Sequence, residues 1–298
     1  MLKKPSSFMG EALSKLAFYF FILKKWGKMM ANNSCVNLVI EKWYNKLGFS
    51  GEFDLQFKKA LEEIEISESA AVETFEQTEN GKLNFLTYLY FCEKLKDRYE
   101  EKNIPENILM DTLKDIVIWA NTWSALKGEL YLGECDWLAR HLSMKLFKLG
   151  RLQFCMGKAE ADILKYGVKK GDNVIEIHIP EAEPLTLEEC KKSIEKAKEF
   201  FKLYFPQFEY KCFTCHSWLL DNTLKEILKP ESNIIKFQNM FEPVKNDESY
   251  ALLRYIFKWD TTKDTLKDAV AKSSFAQKVK DRALSGGKFY ETLGVIKK

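Results

Sequence analysis

The spacing of apolar residues changes once along the chain, and that change limits the fold more than any other feature. From residue 8 to about 148 apolar residues recur three and four apart, as in Leu83, Phe85, Leu86, Leu89 and Phe91 after Asn80-Gly81, or Ile108, Leu109, Leu113, Ile116 and Val117 after Pro105. This is the period of a helix face. Shorter stretches of the same kind cover Cys35 to Leu47, Leu55 to Ile64 and Ala70 to Phe75, with Ser67 placed to cap the last. Beyond Gly150 a two-residue alternation appears, and five of the seven prolines lie between Pro180 and Pro243. The expected class is α+β: an all-α domain over residues 1–135, then an α/β domain over 136–298. At 298 residues the chain exceeds the usual single-domain size, which agrees with two domains.

Within the second part, Lys170-Gly171-Asp172-Asn173 reads as a turn into a strand from Val174 to Ile179 that ends at Pro180. Val174, Glu176 and His178 then share one face, and Ile175, Ile177 and Ile179 the other. Thr186 to Phe201 has helical spacing, and Tyr210 to Trp218 reads as a second strand, so the unit is a crossover with parallel strands. Asp221 is placed to cap a short helix reaching Leu228. Ile234 to Val244 and Tyr250 to Phe257 are expected to add an antiparallel pair, and a helix from about Asp264 to Ala283 to cover one face.

Charge excludes some partners. Lys plus Arg total 46 against 43 for Asp plus Glu, so no field of one sign gathers phosphate backbones, and nucleic acid is not an expected partner. Hydrophobic residues at 46 % and aromatics at 14 % mark a chain that packs. The N-terminal MLKKPSSFMGEALSKLAFYFFILKKW has a basic start before an apolar run from Leu16 to Leu23, but Lys24 and Lys25 follow in place of a cleavage site. That run is far below the roughly 18 residues of a bilayer span. It is expected to be an amphipathic packing helix with no transmembrane segment; Met29 or Met30 is an alternative start. A cytoplasmic location and free thiols for all seven cysteines follow as expectations.

CFTCHSWLL sets Cys212, Cys215 and His216 at the spacing used by covalently held haem. On a strand, however, Cys212, Thr214 and His216 face one way while Phe213, Cys215 and Ser217 face the other. The two thiols cannot then converge, and three histidines without a second cysteine pair do not complete a zinc site. Buried thiols are expected, with no metal and no permanently bound cofactor.

LFKLGRLQF (146–154), HIPEAEPL (178–185), CHSWLLD (215–221) and SNIIKFQ (232–238) together resemble the C-terminal domain of the GNAT-like acyltransferases, in which it follows a helical N-acyltransferase N-terminal domain. The resemblance covers essentially the full length and implies a mixed sheet whose two central parallel strands splay apart. The gap would receive the pantetheine arm of acyl-coenzyme A or another pantetheine thioester as cosubstrate. A small-molecule amine acceptor would attack it directly, and an acyl carrier protein would be an alternative donor. One feature departs from the pattern: no glycine occurs from Asp172 to Ser285, where such enzymes carry a glycine loop for the pyrophosphate. Instead Thr186 and Glu189 form a capping box, and Glu188 and Glu189 place negative charge at the helix start. A non-catalytic binding or assembly protein of the same fold therefore stays open as the alternative.

Acylation of an amine needs a base, donors to the thioester carbonyl and a proton for the leaving thiolate. His178, Glu181 and His216 stand as proton carriers by position, with a satisfied core histidine and a loop carboxylate as the plain alternatives. Ile177, Ile179 and Ser217 would line the thioester channel under the resemblance. Arg151 and Gln153 alternate with Leu152 and Phe154 and either grip a carboxylate or phosphate or tie the two domains together. Asn233 and Gln238 either meet an acyl amide or cap local backbone. A Ser217–His216 nucleophile pair is disfavoured because adjacent strand residues point apart.

Overall fold

The computed structural model describes residues 35–49, 51–66, 78–181 and 183–298. The stretch from Leu16 to Leu23, the Ser67 cap and the helix expected from Ala70 to Phe75 lie outside the described residues.

Six helices open the described chain: α1 (35–47), α2 (Asp54–Glu63), α3 (Gly81–Glu101), α4 (Glu106–Leu113), α5 (Asp115–Lys127) and α6 (Cys135–Leu142). The Asn80 side chain caps α3 by accepting the Leu83 amide at 3.1 Å, and Gly128 ends α5 in the left-handed region that a Cβ penalises. Strands β1 (Leu146–Leu149) and β2 (Leu152–Lys158) form a hairpin closed by Gly150 and Arg151, with Gly150 at φ +84°. Ser193 stitches this hairpin to the helix above it. Its buried hydroxyl donates to Leu149 O and accepts from the Leu152 amide, 3.0 Å away.

β3 (Asn173–His178), α7 (Leu187–Tyr204) and β4 (Cys212–Ser217) make the crossover unit read from the sequence, with β3 and β4 parallel. Thr186 caps α7 through the Glu189 amide at 3.4 Å. Only half of the expected capping box forms, because Lys192 draws away the Glu189 carboxylate, at 3.0 Å, together with Glu188, at 2.7 Å. The far end of the sheet differs from expectation. Ser232 caps a helix, α8 (Asn233–Gln238), which is followed by β5 (Glu242–Glu248) and the short α9 (Leu252–Ile256). The partner of β5 is β6 (Tyr290–Lys297), at the end of the chain, after α10 (Ser274–Leu284). The strand order is β1-β2-β3-β4-β6-β5, an open mixed sheet with one parallel seam, β3–β4.

One apolar core runs from the helices into the sheet. Phe147 of β1 is fully buried, with its ring centroid 6.0 Å from Tyr99 of α3 and 4.8 Å from Phe200 of α7. Burying such a side chain contributes roughly 1.5–3 kcal/mol. The Lys148 amide also donates to Thr112 of α4 at 2.9 Å. α5 and α6 are thereby fixed beside the sheet face that carries Glu176 and His178.

Candidate active site

The β3–β4 seam is closed at one end and open at the other. Ladder pairing joins Ile175 to Phe213 and Glu176 to Thr214 and then stops, although β3 continues to His178 and β4 to Ser217. On their outer sides both strands stay paired, β3 with β2 and β4 with β6. The backbone groups facing the seam past Glu176 and Thr214 are therefore available to a ligand, as in other α/β sheets that bind at the carboxyl ends of their strands.

A cavity of about 670 Å³ occupies the opening. Its walls come from both faces of the sheet: Ile177, Ile179 and Leu185 with Leu219 and Ile234 form an apolar side, while His178 and His216 belong to the opposite face. α5 and α6 close that second side with Asp115, Trp119 and Trp137. The size falls within the range of ligand pockets.

His178 Nε2 sits 3.4 Å from Glu176 Oε2, and its ring meets the edge of Trp137 with centroids 4.7 Å apart. Burial pushes the Glu176 carboxyl up, but His178 and then Arg140, whose Nη1 is 3.2 Å away, outweigh it and hold Glu176 below the usual carboxylate range. Glu176 thus stays ionised and orients the imidazole. His216 is looser, with Nδ1 3.6 Å from Glu160 Oε2 and Nε2 3.8 Å from Asp247 Oδ2. Glu181 lies at the rim on the loop after β3. The residue is exposed, and partial desolvation of its carboxyl followed by the charge of Asp115 raises its pKa.

Several residues reached by no sequence signal complete the cavity. Asp115 is buried, with Oδ2 3.2 Å from His141 Nε2 and 2.9 Å from Trp137 Nε1. Burial would raise its pKa, but His141 first and Trp137 next hold it below the ordinary value of 3.8. Glu134 starts α6 at φ +54°, a left-handed conformation for a residue with a Cβ, and desolvation raises it against the opposing charge of Arg254. An acidic residue where a Ser, Thr, Asp or Asn cap is usual was the only hint in the sequence. Glu291 of β6 and the rings of Trp119, Tyr255 and Trp259 also line the cavity.

The remaining candidates divide. Gln153 pairs across the ladder with His178 and lines the cavity; its Nε2, beside the Asp115 carboxylate, meets no hydrogen-bond geometry with any described residue. Arg151 also lines it, but Nε donates to Pro184 O at 3.1 Å and Nη2 to Glu183 O at 2.8 Å. These two nitrogens tie the loop after β3, while Nη1 is buried with no hydrogen-bond partner among the described residues. Ser217 lines the cavity while its Oγ accepts the Leu219 amide at 3.1 Å. Asn233 is exposed at the start of α8, outside the cavity lining, which takes its neighbour Ile234 instead. Gln238 is structural, donating to Asp221 O at 2.9 Å. Cys212 and Cys215 are buried in separate apolar clusters, with Cys212 pushed up to about 11 by desolvation. Among the described residues no group of three or more His, Cys, Asp or Glu side chains could hold a metal ion, and no helix is long and apolar enough to cross a membrane.

An open mixed sheet, split at its one parallel seam and backed by a helical domain, is the architecture of a GNAT-like protein. The GNAT-like C-terminal domain matches residues 146–296 and the N-acyltransferase N-terminal domain residues 48–144, and the chain belongs to this family. Among solved structures it is similar to an acyltransferase in complex with decanoyl-CoA, at 21 % identity and a TM-score of 0.65, over 89 % of this chain and 78 % of that one. It is likewise similar to an acyltransferase in complex with decanoyl-CoA and teicoplanin, at 22 % identity and a TM-score of 0.64, over 72 % of this chain. That match spans 66 % of the acyltransferase's own length. No curated protein matches the chain in sequence.

Proposed function

We propose that the protein is an acyltransferase that moves an acyl group from a pantetheine thioester, acyl-CoA in the first instance, to an amine acceptor by direct attack. The observation that carries this reading is the opening of the seam beyond Glu176 and Thr214, with a cavity of about 670 Å³ in it. The acyltransferases of similar fold were solved with decanoyl-CoA, which supports the same donor class. The thioester arm enters along Ile177, Ile179 and Leu185, and the acceptor enters from the side walled by α5 and α6. His178, oriented by Glu176, takes the proton from the attacking nitrogen, and Glu181 draws the ammonium form to the seam. The tetrahedral oxyanion needs a donor, and Gln153 Nε2, buried on that face beside the Asp115 carboxylate, can turn to it. His216 stands on the opposite strand as the proton source for the leaving thiolate. The acceptor nitrogen gains the acyl carbon as the carbon–sulfur bond breaks, so the products are an amide and a free thiol.

Titrating the protein with acyl-CoA esters of increasing chain length, while following Tm and amide formation by mass spectrometry, tests this. The expected result is stabilisation by the thioesters and an amide product with an amine present. No stabilisation by any thioester would contradict the reading. The absent glycine loop favours a second donor, an acyl carrier protein that keeps the phosphate on its own surface. In that case carrier-bound thioester would react and free acyl-CoA would not. A fold retained only for binding would give a thioester shift with no amide.

A further inference from the structure

The acceptor side of the cavity is unusual in its charge. Asp115, Glu134, Glu181 and Glu291 all line it, and the lining holds no lysine. Its single arginine, Arg151, gives Nε and Nη2 to the carbonyls of Pro184 and Glu183 and keeps its charge, so four carboxylates face one lining guanidinium. Not all the carboxylates are neutralised within the protein. Asp115 has His141 and Trp137. Among the described residues the Glu291 carboxylate accepts the Ser249 hydroxyl, at 2.8 Å, and has no ion pair. Desolvation and the charge of Asp115 raise Glu181, and desolvation raises Glu134 against the charge of Arg254. Desolvation and then the charges of Glu291, Glu134 and Glu181 oppose ionisation of Tyr255, against the charge of Arg254.

Aromatic faces surround the same space. Trp119 of α5 meets Trp259 with centroids 5.0 Å apart, Tyr255 meets Trp259 at 5.4 Å, and Trp218 stacks on Tyr255 at 6.1 Å. This row of rings crosses from the helical domain to the end of β4. It already receives one cation, the Arg254 guanidinium, 5.7 Å from the Trp259 ring. Rings and carboxylates around one cavity recognise cations in two complementary ways, by ring quadrupole and by charge.

A reacting amine must give up its proton, so it is neutral at the moment of attack and cannot satisfy these charges by itself. We infer that the acceptor is an amine carrying a second, permanent positive charge, held by Glu134, Glu291 and the faces of Tyr255 and Trp259 while the first nitrogen reaches the seam. A diamine or a comparable dication has this form; an amino acid, with a carboxylate in its place, is rejected by the same residues. This rests on the acyltransferase reading above and names its acceptor.

The test is a calorimetric titration of the full chain with three probes of similar length: 1,5-diaminopentane, 1-aminopentane and 6-aminohexanoate. A parallel titration with decanoyl-CoA is run on the same preparation. The diamine is expected to bind about 10-fold or more tightly than the monoamine, the worth of one partly desolvated charge pair, and the zwitterion weakest. Glu134→Gln and Glu291→Gln should each lower that preference while leaving decanoyl-CoA affinity unchanged, which also shows that the variants fold. Equal affinities, tighter binding of the zwitterion, or no binding of any of the three overturns the inference. Failure of decanoyl-CoA to bind while the diamine preference persists strikes the acyltransferase reading instead and leaves the dication chamber standing.

Discussion

The two ends of the β3–β4 seam are built from the same two strands and behave as opposites. At the closed end Ile175 and Phe213 are paired across the ladder and fully buried, with Val174 and Cys212 packed below them against Ile163 and Val168. At the open end the strands part, and His178 and His216 stand on the face that Val174 and Cys212 occupy at the closed end. Nothing in the local backbone of β3 or β4 distinguishes the ends. What differs is the neighbour: Ile163 and Val168 seal the closed end, while Asp115, Trp119 and Trp137 of the helical domain wall a chamber over the open one. The division teaches that stability and chemistry have been placed on separate halves of one seam.

Substitutions at the two ends should therefore separate activity from stability. The largest effect is expected for His178→Ala, which removes the oriented base and should lower turnover about 10²- to 10⁴-fold with Tm nearly unchanged, measured by amide formation and a melting curve. A loss of stability with turnover intact would move His178 to the structural half. Next comes Phe213→Ala at the closed end. It should cost about 3–5 kcal/mol of unfolding free energy in denaturant while thioester affinity holds in the folded fraction. Loss of affinity before loss of stability would show that the ends are not independent.

The smallest effect is a pH dependence. The Asp115 carboxyl is held below its ordinary 3.8 in the folded protein, so its contribution to stability is fully present above that value and is lost as the pH falls through the lowered one. Asp115→Asn should flatten the acid limb of the stability curve, read by denaturant midpoints across the acid range. Glu181 has the opposite sign. Raised above the usual range by desolvation and by Asp115, it ionises late, so affinity for a cationic amine should climb as the pH rises through that raised value. The climb should be absent in Glu181→Gln.

What the sequence disclosed followed from local chemistry. The turn at Gly171, the stop at Pro180 and the cap at Thr186 defined β3 and α7, and the crossover put His178 and His216 at the ends of two parallel strands. The far edge of the sheet escaped because its signals are weak or ambiguous. β5 is almost entirely exposed and polar, with Pro243 tolerated on an edge strand, so no alternation marks it. Ile234 to Phe237 and Leu252 to Ile256 are apolar runs too short to tell helix from strand by period, and both proved helical. β6 pairs with β4 and β5 only after the chain has passed through α10, a long-range choice that no local pattern reveals. The same limit applies to the cavity: Glu134, Asp115 and Trp119 reach it through packing of α5 and α6 on the sheet, and their neighbours in sequence give no sign of it.

Backbone hydrogen exchange with and without decanoyl-CoA measures the open seam most directly. Added thioester should slow exchange at residues 177–179 and 216–217, where unpaired groups meet the ligand's amides, and leave Ile175 and Phe213 as protected as before. Unchanged exchange at both strand ends, or protection confined to another part of the chain, would mean that the gap receives no thioester.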